Sequence, residues 1–265
     1  MRIYIPTLFR NQTQITANRL PAALLKNTVM VLDEQDKASL ADNWKMIPGT
    51  VATVVCPLRG IGKVRQWIVD NHNVKKYGPN LLMLDDDLRF FVRRGDDISK
   101  FLPASDLDIT LCIQKLEHLM TGKNAYAHAG ILAREGGNRV KSLLKVNTRL
   151  LRALAYNVLI LKKVGARFDA MSVMEDFHVA LTMLEAGYPN VAVCGWVQDQ
   201  TRSNAPGGCS TYRDLVLQDY GARGLAALHP GFVTIRRVKT LTAWDGRERT
   251  DVKVAWKKAF ASSQK

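Results

Sequence analysis

The chain has 265 residues, of which 47% are hydrophobic and 23% are charged, as in an ordinary folded globular protein. It contains no apolar run of about 18 residues and no signal-peptide pattern, so we expect a cytoplasmic protein rather than a membrane-spanning or secreted one. The formal charge of +14 is unusual, and it predicts attraction to a polyanion, either nucleic acid or an anionic membrane surface.

The first third of the chain alternates strand patterns with helix patterns. Apolar, β-rich runs predict four strands, at 2–6, 28–32, 50–56 and 81–84. Helical patterns lie between them, at 11–27 and 63–74. Strand, loop and helix in repeated succession predict an α/β fold in which a mostly parallel central sheet is flanked by helices.

The remaining elements are predicted from caps and composition. Residues 105–120 predict a helix capped by Ser105, and 172–187 predict another that begins with a Ser172–Glu175 capping box. We expect a basic loop or hairpin over 124–152, strands at 156–165 and 191–196, and a loop over 200–214. From residue 234 onward there are nine Lys or Arg against three Asp or Glu. We therefore expect one domain over 1–233 and a basic C-terminal extension over 234–265, either packed on that domain or trailing from it.

Three aspartates follow directly on the predicted strand at 81–84. Asp85, Asp86 and Asp87 lie at the carboxyl end of a strand, which is where open α/β sheets bind ligands. Because adjacent carboxylates repel one another at neutral pH, a cation is the natural group to hold them together. Oxygen ligands suit Mg²⁺ or Mn²⁺, which in turn favours a diphosphate as a further ligand. An acidic turn that merely ends a strand is the alternative that the residues leave open.

Two later features can belong to the same site. Glu175 and Asp176 begin a predicted helix, and His229 stands in the segment LHPGFV. Each also has a plain structural interpretation, because Glu175 can cap its helix, Asp176 can complement the helix dipole and a lone histidine can simply pack. Their order along an α/β chain, after the aspartates, favours one shared site.

This ordered set resembles that of a metal-dependent GT-A glycosyltransferase, with a strand-ending DxD, a later Glu-Asp and a late His. More narrowly, the blocks IPTLFRNQTQ, RGIGKVRQW, LMLDDDLRFF and MEDFH resemble the TET-associated glycosyltransferases of bacteriophages, over roughly residues 1–195. The resemblance implies a GT-A-like domain that moves a sugar from a UDP-sugar to the hydroxyl of a 5-hydroxymethylpyrimidine, above all 5-hydroxymethylcytosine, in phage DNA.

The resemblance also implies roles for individual residues. Asp85 and Asp87 would hold Mn²⁺ or Mg²⁺, with Asp87 in direct contact and His229 as a third protein ligand. The residues near the donor would be Pro6, Thr7, Arg10, Arg65, Asp85 and Asp86. An inverting reaction needs a base for the acceptor hydroxyl, and we expect Asp176 in that role, with Glu175 as the second choice.

The charge of +14 indicates the acceptor, because duplex DNA attracts cations through its phosphates whatever its sequence. We expect one DNA-binding patch to consist of Arg134, Arg139, Lys141, Lys145 and Arg149. A second would consist of Arg236, Arg237 and Lys239. Three alternatives stay open: a GT-A enzyme acting on a polysaccharide or lipid-linked acceptor, a metal-dependent nucleotidyltransferase or nuclease, and a DNA-binding module without catalysis. The missing amphipathic anchor argues against a membrane partner.

Overall fold

The structure is a computed structural model that describes residues 1–8, 14–35, 51–200, 211–239 and 246–264. Ten strands form the central sheet: β1 (Arg2–Thr7), β2 (Thr28–Asp33), β3 (Ala52–Cys56), β4 (Asn80–Leu84), β5 (Leu88–Arg93), β6 (Phe101–Pro103), β7 (His128–Ala133), β8 (Leu144–Val146), β9 (Ala153–Asn157) and β10 (Asn190–Gln200). A separate hairpin consists of β11 (Val233–Lys239) and β12 (Glu248–Val254).

Helices connect these strands and cover both faces of the sheet. They are α1 (Ile15–Arg19), α2 (Ala22–Leu25), α3 (Ile61–Asn71), α4 (Val74–Tyr77), α5 (Asp106–Leu119), α6 (Val158–Val164), α7 (Glu175–Glu185), α8 (Leu215–Leu228) and α9 (Trp256–Ser262). Short 3-10 turns lie at Gly137–Arg139 and Phe168–Ala170. In the described ranges, no helix combines the length and the apolar character that crossing a bilayer requires.

The strand order of the sheet is β3-β2-β1-β4-β9-β7-β10-β5-β6, and β8 pairs with β10 beside β5. Among these ten described strands, β5, β8 and β9 run against the other seven. The predicted α/β class, with a mostly parallel sheet flanked by helices, is therefore confirmed. Because β2 and β3 extend from one side of β1 and β4 pairs on the other, the strand order reverses between β1 and β4. Ligands of open α/β sheets bind at such a reversal.

Alternate residues of the strands face two separate cores. Ile3, Ile5 and Leu82 pack with α5 on one face, whereas Tyr4 and Met83 pack with α3 and α7 on the other. Successive residues of a strand face opposite sides of the sheet, and here both sides are buried. These strands are therefore continuous hydrophobic runs in the sequence. The central strands are thus fixed on both sides, which makes their carboxyl ends a rigid platform.

Two predicted elements are wrong. The run 156–165 forms a helix from Val158 onward, because the Asn157 side chain accepts hydrogen bonds from the backbone N–H groups of Leu159 and Ile160 and Gly165 ends the helix at φ 67°. The predicted basic loop over 124–152 also contains β7, a strand in the middle of the sheet. Its short run HAGILA carries no charge and belongs to the buried part of the fold.

The described residues past 233, in 234–239 and 246–264, belong to elements that pack on the rest of the chain. Val252 and Ala259 share a hydrophobic cluster with Met174 and Leu181 at α7 and with Leu225 of α8. The division into 1–233 and 234–265 itself stays a prediction, since a shared cluster joins the two parts without marking a boundary.

Gly62 lets α3 approach the turn at Phe168–Ala170 closely. A Cβ at this position would lie 2.6 Å from the backbone oxygens of both Phe168 and Met171, and backbone cannot move aside as a flexible side chain can. We expect Gly62→Ala to lower the free energy of unfolding by about 1–3 kcal/mol, the usual cost of overpacking. Urea unfolding checks this, with Gly95→Ala as the control, because nothing lies within 4 Å of a Cβ at Gly95. Equal midpoints for the two variants would contradict the close packing.

Candidate active site

The turn Asp85–Asp87 is fixed through its backbone. The Asp85 N–H donates to the carbonyl oxygen of Arg152 at 2.9 Å, and the Asp86 carbonyl oxygen accepts from the N–H groups of Ile15 and Thr16. Thr16 also donates its hydroxyl to the Asp85 carbonyl oxygen. The first turn of α1 and the segment before β9 therefore hold the aspartates in place beyond β4, which is the preorganisation that a binding site needs.

The three aspartate side chains have different surroundings. Asp86 is buried, and its Oδ2 accepts from the Thr7 hydroxyl at 2.6 Å, while Gln14 donates to that same hydroxyl. Asp85 keeps 28% of its side chain exposed. Asp87 is buried, and its charge acts on Asp85. Two carboxylates, Asp85 and Asp87, thus act on each other at the sheet edge, and the third is tied to β1.

Arg65 joins the aspartate turn to α7. Its Nη2 donates to Asp85 Oδ1 at 2.7 Å and its Nη1 donates to Glu175 Oε1 at 2.6 Å, with only 5% of the arginine side chain exposed. Burial acts to lower the pKa of Arg65, but Asp85 and Glu175 outweigh it and leave that pKa raised. One guanidinium from α3 therefore brings together two of the features that the sequence suggested belong to one site.

The start of α7 differs from the predicted capping box. The helix begins at Glu175, after Met174 in a left-handed conformation at φ 61°, and it lacks a side-chain cap. The Ser172–Glu175 capping box is therefore wrong, because Glu175 is the first helical residue and its carboxylate binds Arg65. A non-glycine residue at positive φ costs about 1–3 kcal/mol and concentrates at functional sites.

The cluster carries more carboxylates than the arginines can neutralise. Burial, opposed by Arg65 and assisted by Asp176, raises the pKa of Glu175 to about 7. Burial likewise raises the pKa of Asp85, with Arg65 and Arg152 acting against it and Asp87 and Asp176 adding to it. Because one buried guanidinium is shared by two carboxylates, the site takes up a proton near neutral pH.

The raised pKa of Glu175 predicts a pH-dependent stability. Between pH 4.5 and 7 the folded chain keeps a proton on Glu175 that the unfolded chain has lost, so stability falls as pH rises through that window. We expect wild type to lose up to about 3 kcal/mol relative to Glu175→Gln across it. Urea unfolding of both proteins from pH 4.5 to 8 measures this difference. If the difference in the free energy of unfolding between the two proteins stayed constant, or if wild type gained stability relative to Glu175→Gln as pH rises, the raised pKa of Glu175 would be wrong.

His229 lies between α7 and α8. Its Nδ1 is 2.6 Å from Glu185 Oε1 and its Nε2 is 2.9 Å from His178 Nδ1. The Glu185 carboxylate accepts a hydrogen bond from Nδ1 of His229, and Nε2 of His229 shares a hydrogen bond with Nδ1 of His178. Burial, together with His229, lowers the pKa of His178 to about 4, so this ring is neutral. Both ring nitrogens of His229 thus have partners other than Asp85 and Asp87, and its role as a metal ligand stays a prediction.

The donor atoms at Asp85 and Asp87 suit a hard divalent cation. Both offer carboxylate oxygens, the ligands that Mg²⁺ and Mn²⁺ prefer, and their mutual repulsion would be relieved by a cation. Within the described ranges, no three His, Cys, Asp or Glu side chains are arranged to hold one metal ion. Mg²⁺ held by one or two carboxylates usually completes its coordination with waters and substrate phosphates.

One residue beside the aspartates was missed by the sequence analysis. Arg152 is mostly buried, adopts φ 67°, and attracts Asp85 and Asp87 electrostatically while its carbonyl oxygen accepts from the Asp85 N–H. In the sequence it is only the last of a basic run, and the fold alone brings it to β4. Of the predicted donor residues, Pro6 is buried in β1 in register with Val31, and Arg10 lies outside the described residues.

The first predicted DNA-binding patch is exposed throughout. Arg149 places its guanidinium 4.8 Å from the ring centre of Phe177, the residue after Asp176. Arg134 stacks on Phe91 at 4.2 Å and lies 3.4 Å from Asp199. The exposed residues between them are Arg139, Lys141 and Lys145. The patch thus reaches the candidate site through Arg149.

The second predicted patch is divided by the hairpin. Successive residues of a strand point to opposite faces, so Arg236 faces away from Arg237 and Lys239. Arg236 lies 3.9 Å from Asp251 in the paired strand. Hydrogen bonds from Arg223 and Thr250, and to a smaller extent the charge of Arg237, lower the pKa of Asp219 on α8. These three cations therefore do not form one surface.

Comparison with known proteins identifies one family. The model of the family described as TET-Associated Glycosyltransferase matches residues 1–207. No curated protein matches the chain.

Solved structures give only distant likenesses. A crystal structure of GalNAc-T7 with UDP, GalNAc and Mn²⁺ is 12% identical, with a TM-score of 0.41, over 75% of this chain and 43% of that one, so this chain spans less than half of its length. Mannose-1-phosphate geranyltransferase from Thermus thermophilus is 10% identical, with a TM-score of 0.45, over 75% of each chain. Mouse xyloside xylosyltransferase 1 in its apo form is 10% identical, with a TM-score of 0.31, over 68% of this chain and 71% of that one.

Proposed function

The chain belongs to the TET-associated glycosyltransferase family, and on that premise we propose that this glycosyltransferase moves a sugar from a UDP-sugar to the hydroxyl of a 5-hydroxymethylpyrimidine in duplex DNA. The pyrimidine is 5-hydroxymethylcytosine, and the reaction takes place in the cytoplasm of a cell infected by a phage.

The observation that carries the proposal is the bridge made by Arg65. It links Asp85, at the carboxyl end of β4, to Glu175, at the start of α7, with both bonds at 2.7 Å or less. Arg65 would then hold the aspartate turn, where the donor diphosphate binds, at a fixed distance from the start of α7, where the acceptor hydroxyl binds. Fixing two reactants in this way is a large part of what enzymes contribute.

The leaving group needs positive charge. When bound, a divalent cation on Asp85 and Asp87 would supply Lewis-acid stabilisation of the charge that develops on the departing nucleoside diphosphate. Arg152, which attracts both of these carboxylates, adds a second positive group from the protein itself. Asp86 acts indirectly, because its bond to Thr7 fixes the turn that carries the other two aspartates.

The acceptor needs a base, and Asp176 fits that role better than Glu175. Glu175 is buried with its carboxylate on Arg65, so it positions the arginine. Asp176 is only partly buried and lies in the first turn of α7, so its carboxylate can reach an acceptor that Glu175 cannot. In this proposal Asp176 takes the proton of the hydroxymethyl group as the oxygen attacks the sugar.

The DNA is bound by the first basic patch. Arg149 touches Phe177 beside Asp176, so the patch that contacts phosphates continues to the acceptor side of the site. Electrostatic contacts of this kind supply affinity without sequence readout. The hydroxymethyl group on the 5-position of a pyrimidine faces the major groove, where the protein can reach it.

The test is a transfer assay read by mass spectrometry. The protein is incubated with Mn²⁺, a panel of UDP-sugars and duplexes that carry cytosine, 5-hydroxymethylcytosine or 5-hydroxymethyluracil. We expect one sugar mass to be added to a hydroxymethylated strand and none to the cytosine duplex. Transfer to no duplex, together with transfer to a polysaccharide or lipid-linked acceptor, would contradict the proposal.

A further inference from the structure

The β11–β12 hairpin is a two-stranded ribbon with one covered face. Seven residue pairs join its strands, from Val233–Val254 to Lys239–Glu248. On one face Thr250 and Val252 are buried, and Gln218 of α8 donates to the Thr250 carbonyl oxygen at 3.1 Å. This inner face is therefore occupied by the protein itself.

The outer face of the ribbon points away from α8. Strand alternation assigns it Thr234, Arg236, Val238, Arg249, Asp251 and Lys253. It thus carries three cations against one carboxylate. The Arg236 side chain is 54% exposed. Lys253 is exposed, and in the described ranges no carboxylate forms an ion pair with it.

Cations lie near carboxylates on both faces of the hairpin. On the outer face Asp251 is 3.2 Å from Arg249 and 3.9 Å from Arg236, and the inner face has neighbours of its own. Lys239 is paired in register with Glu248, and the charge of Arg237 acts on Asp219 of α8. Substituting these two residues changes the total charge as much as substituting Arg236 and Lys253. The hairpin therefore contains its own matched control.

The ribbon is also packed beside the candidate site. Val233 and Val252 share a hydrophobic cluster with Met174 and Phe177, which flank Glu175 and Asp176 at the start of α7. The ribbon is therefore anchored to the helix that carries Glu175 and Asp176.

From these observations we infer that the outer face of the hairpin binds duplex DNA along its major groove, with Arg236 and Lys253 on backbone phosphates. The inference rests on the proposed function and assigns part of its DNA surface. The major groove admits a two-stranded β-ribbon, and it is also where the 5-position of a pyrimidine lies. Arg237 and Lys239, which the sequence analysis grouped with Arg236, contribute little to this contact.

The experiment compares two double variants of the full chain, Arg236→Ala/Lys253→Ala and Arg237→Ala/Lys239→Ala. Binding to an unmodified duplex is measured by fluorescence anisotropy at several salt concentrations, and circular dichroism checks that both variants fold. Each lost phosphate contact reduces the magnitude of the slope of log K against log salt by about 0.9. We therefore expect this slope to fall by about 1.8 in Arg236→Ala/Lys253→Ala, the outer variant, and by less than about 0.5 in Arg237→Ala/Lys239→Ala, the inner variant.

Equal losses in the two variants, or an unchanged slope in the outer variant, would overturn the assignment. Failure of the proposed function is recognised separately, because it would appear as a wild-type protein that adds no sugar to any hydroxymethylated strand.

Discussion

Arg65→Ala is expected to lower the free energy of unfolding by about 3–5 kcal/mol, because it leaves two carboxylates in the protein without their cation. Glu175 is buried and Asp85 is largely so, and both bind the guanidinium directly. Removing one partner of a buried ion pair leaves the other charge buried without a counter-charge. This costs far more free energy than the intact pair contributes. The same change should reduce sugar transfer by at least about 100-fold, since the turn and α7 lose their common support.

Urea unfolding and a transfer assay measure these two effects. Arg167→Ala is the control, because Arg167 also pairs with an aspartate, Asp169, at 2.7 Å but keeps 54% of its side chain exposed. An exposed pair of this kind is worth about 0–1 kcal/mol. A double variant, Arg65→Met/Glu175→Gln, should recover part of the stability and none of the transfer. If Arg65→Ala were as stable as Arg167→Ala, the bridge would not hold the site together.

Asp87→Asn is expected to reduce sugar transfer by at least about 100-fold, the usual cost of losing one electrostatic group that acts on the transition state. The amide has nearly the size of the carboxylate but lacks the charge that would hold a divalent cation. Affinity for DNA should stay within about twofold of wild type, because the basic patch is untouched. Anisotropy with a duplex and the transfer assay separate the two properties.

Asp86→Asn is the matched control in the same turn. Asp86 accepts a hydrogen bond from the Thr7 hydroxyl, and an amide oxygen can accept it equally well. We therefore expect this variant to keep more than about a tenth of its activity. An inactive Asp86→Asn beside an active Asp87→Asn would reverse the roles that we give to the two aspartates.

The aspartate turn could be predicted from the sequence because its signal is local. Four apolar residues before Asp85 announce a buried strand, and the strand ends where the charges begin. The caps of α6 are equally local, at Asn157 and Gly165, but the apolar run between them is also typical of a strand. Both signals lie within a few residues of the element that they mark.

The bridge and the start of α7 could not be predicted in this way. Arg65 reaches Asp85 across 20 positions and Glu175 across 110, so only the folded chain joins them. The left-handed Met174 delays the helix and turns Glu175 toward Arg65, in place of the local capping box that the sequence favours. Tertiary contacts therefore direct the carboxylate of Glu175 to Arg65 and not to a cap of its own helix.

The division of the second basic patch follows from geometry that the sequence already implied. Arg236 and Arg237 are neighbours in the chain, and a basic run suggested one surface. In a strand, neighbours point apart, and the register then pairs Arg236 with Asp251 and Arg237 with Thr250. Charge counted along the chain therefore overstates the charge on either face.

The most direct test of the account is calorimetric titration of UDP into the protein, with Mn²⁺ and with a chelator, for wild type and for Asp87→Asn. If carboxylates at the end of β4 hold a cation that binds the nucleotide, UDP should bind wild type at least about tenfold tighter with Mn²⁺, a difference of about 1.4 kcal/mol. Asp87→Asn should show no such difference. Wild type that binds UDP equally well with Mn²⁺ and with chelator would contradict the central claim.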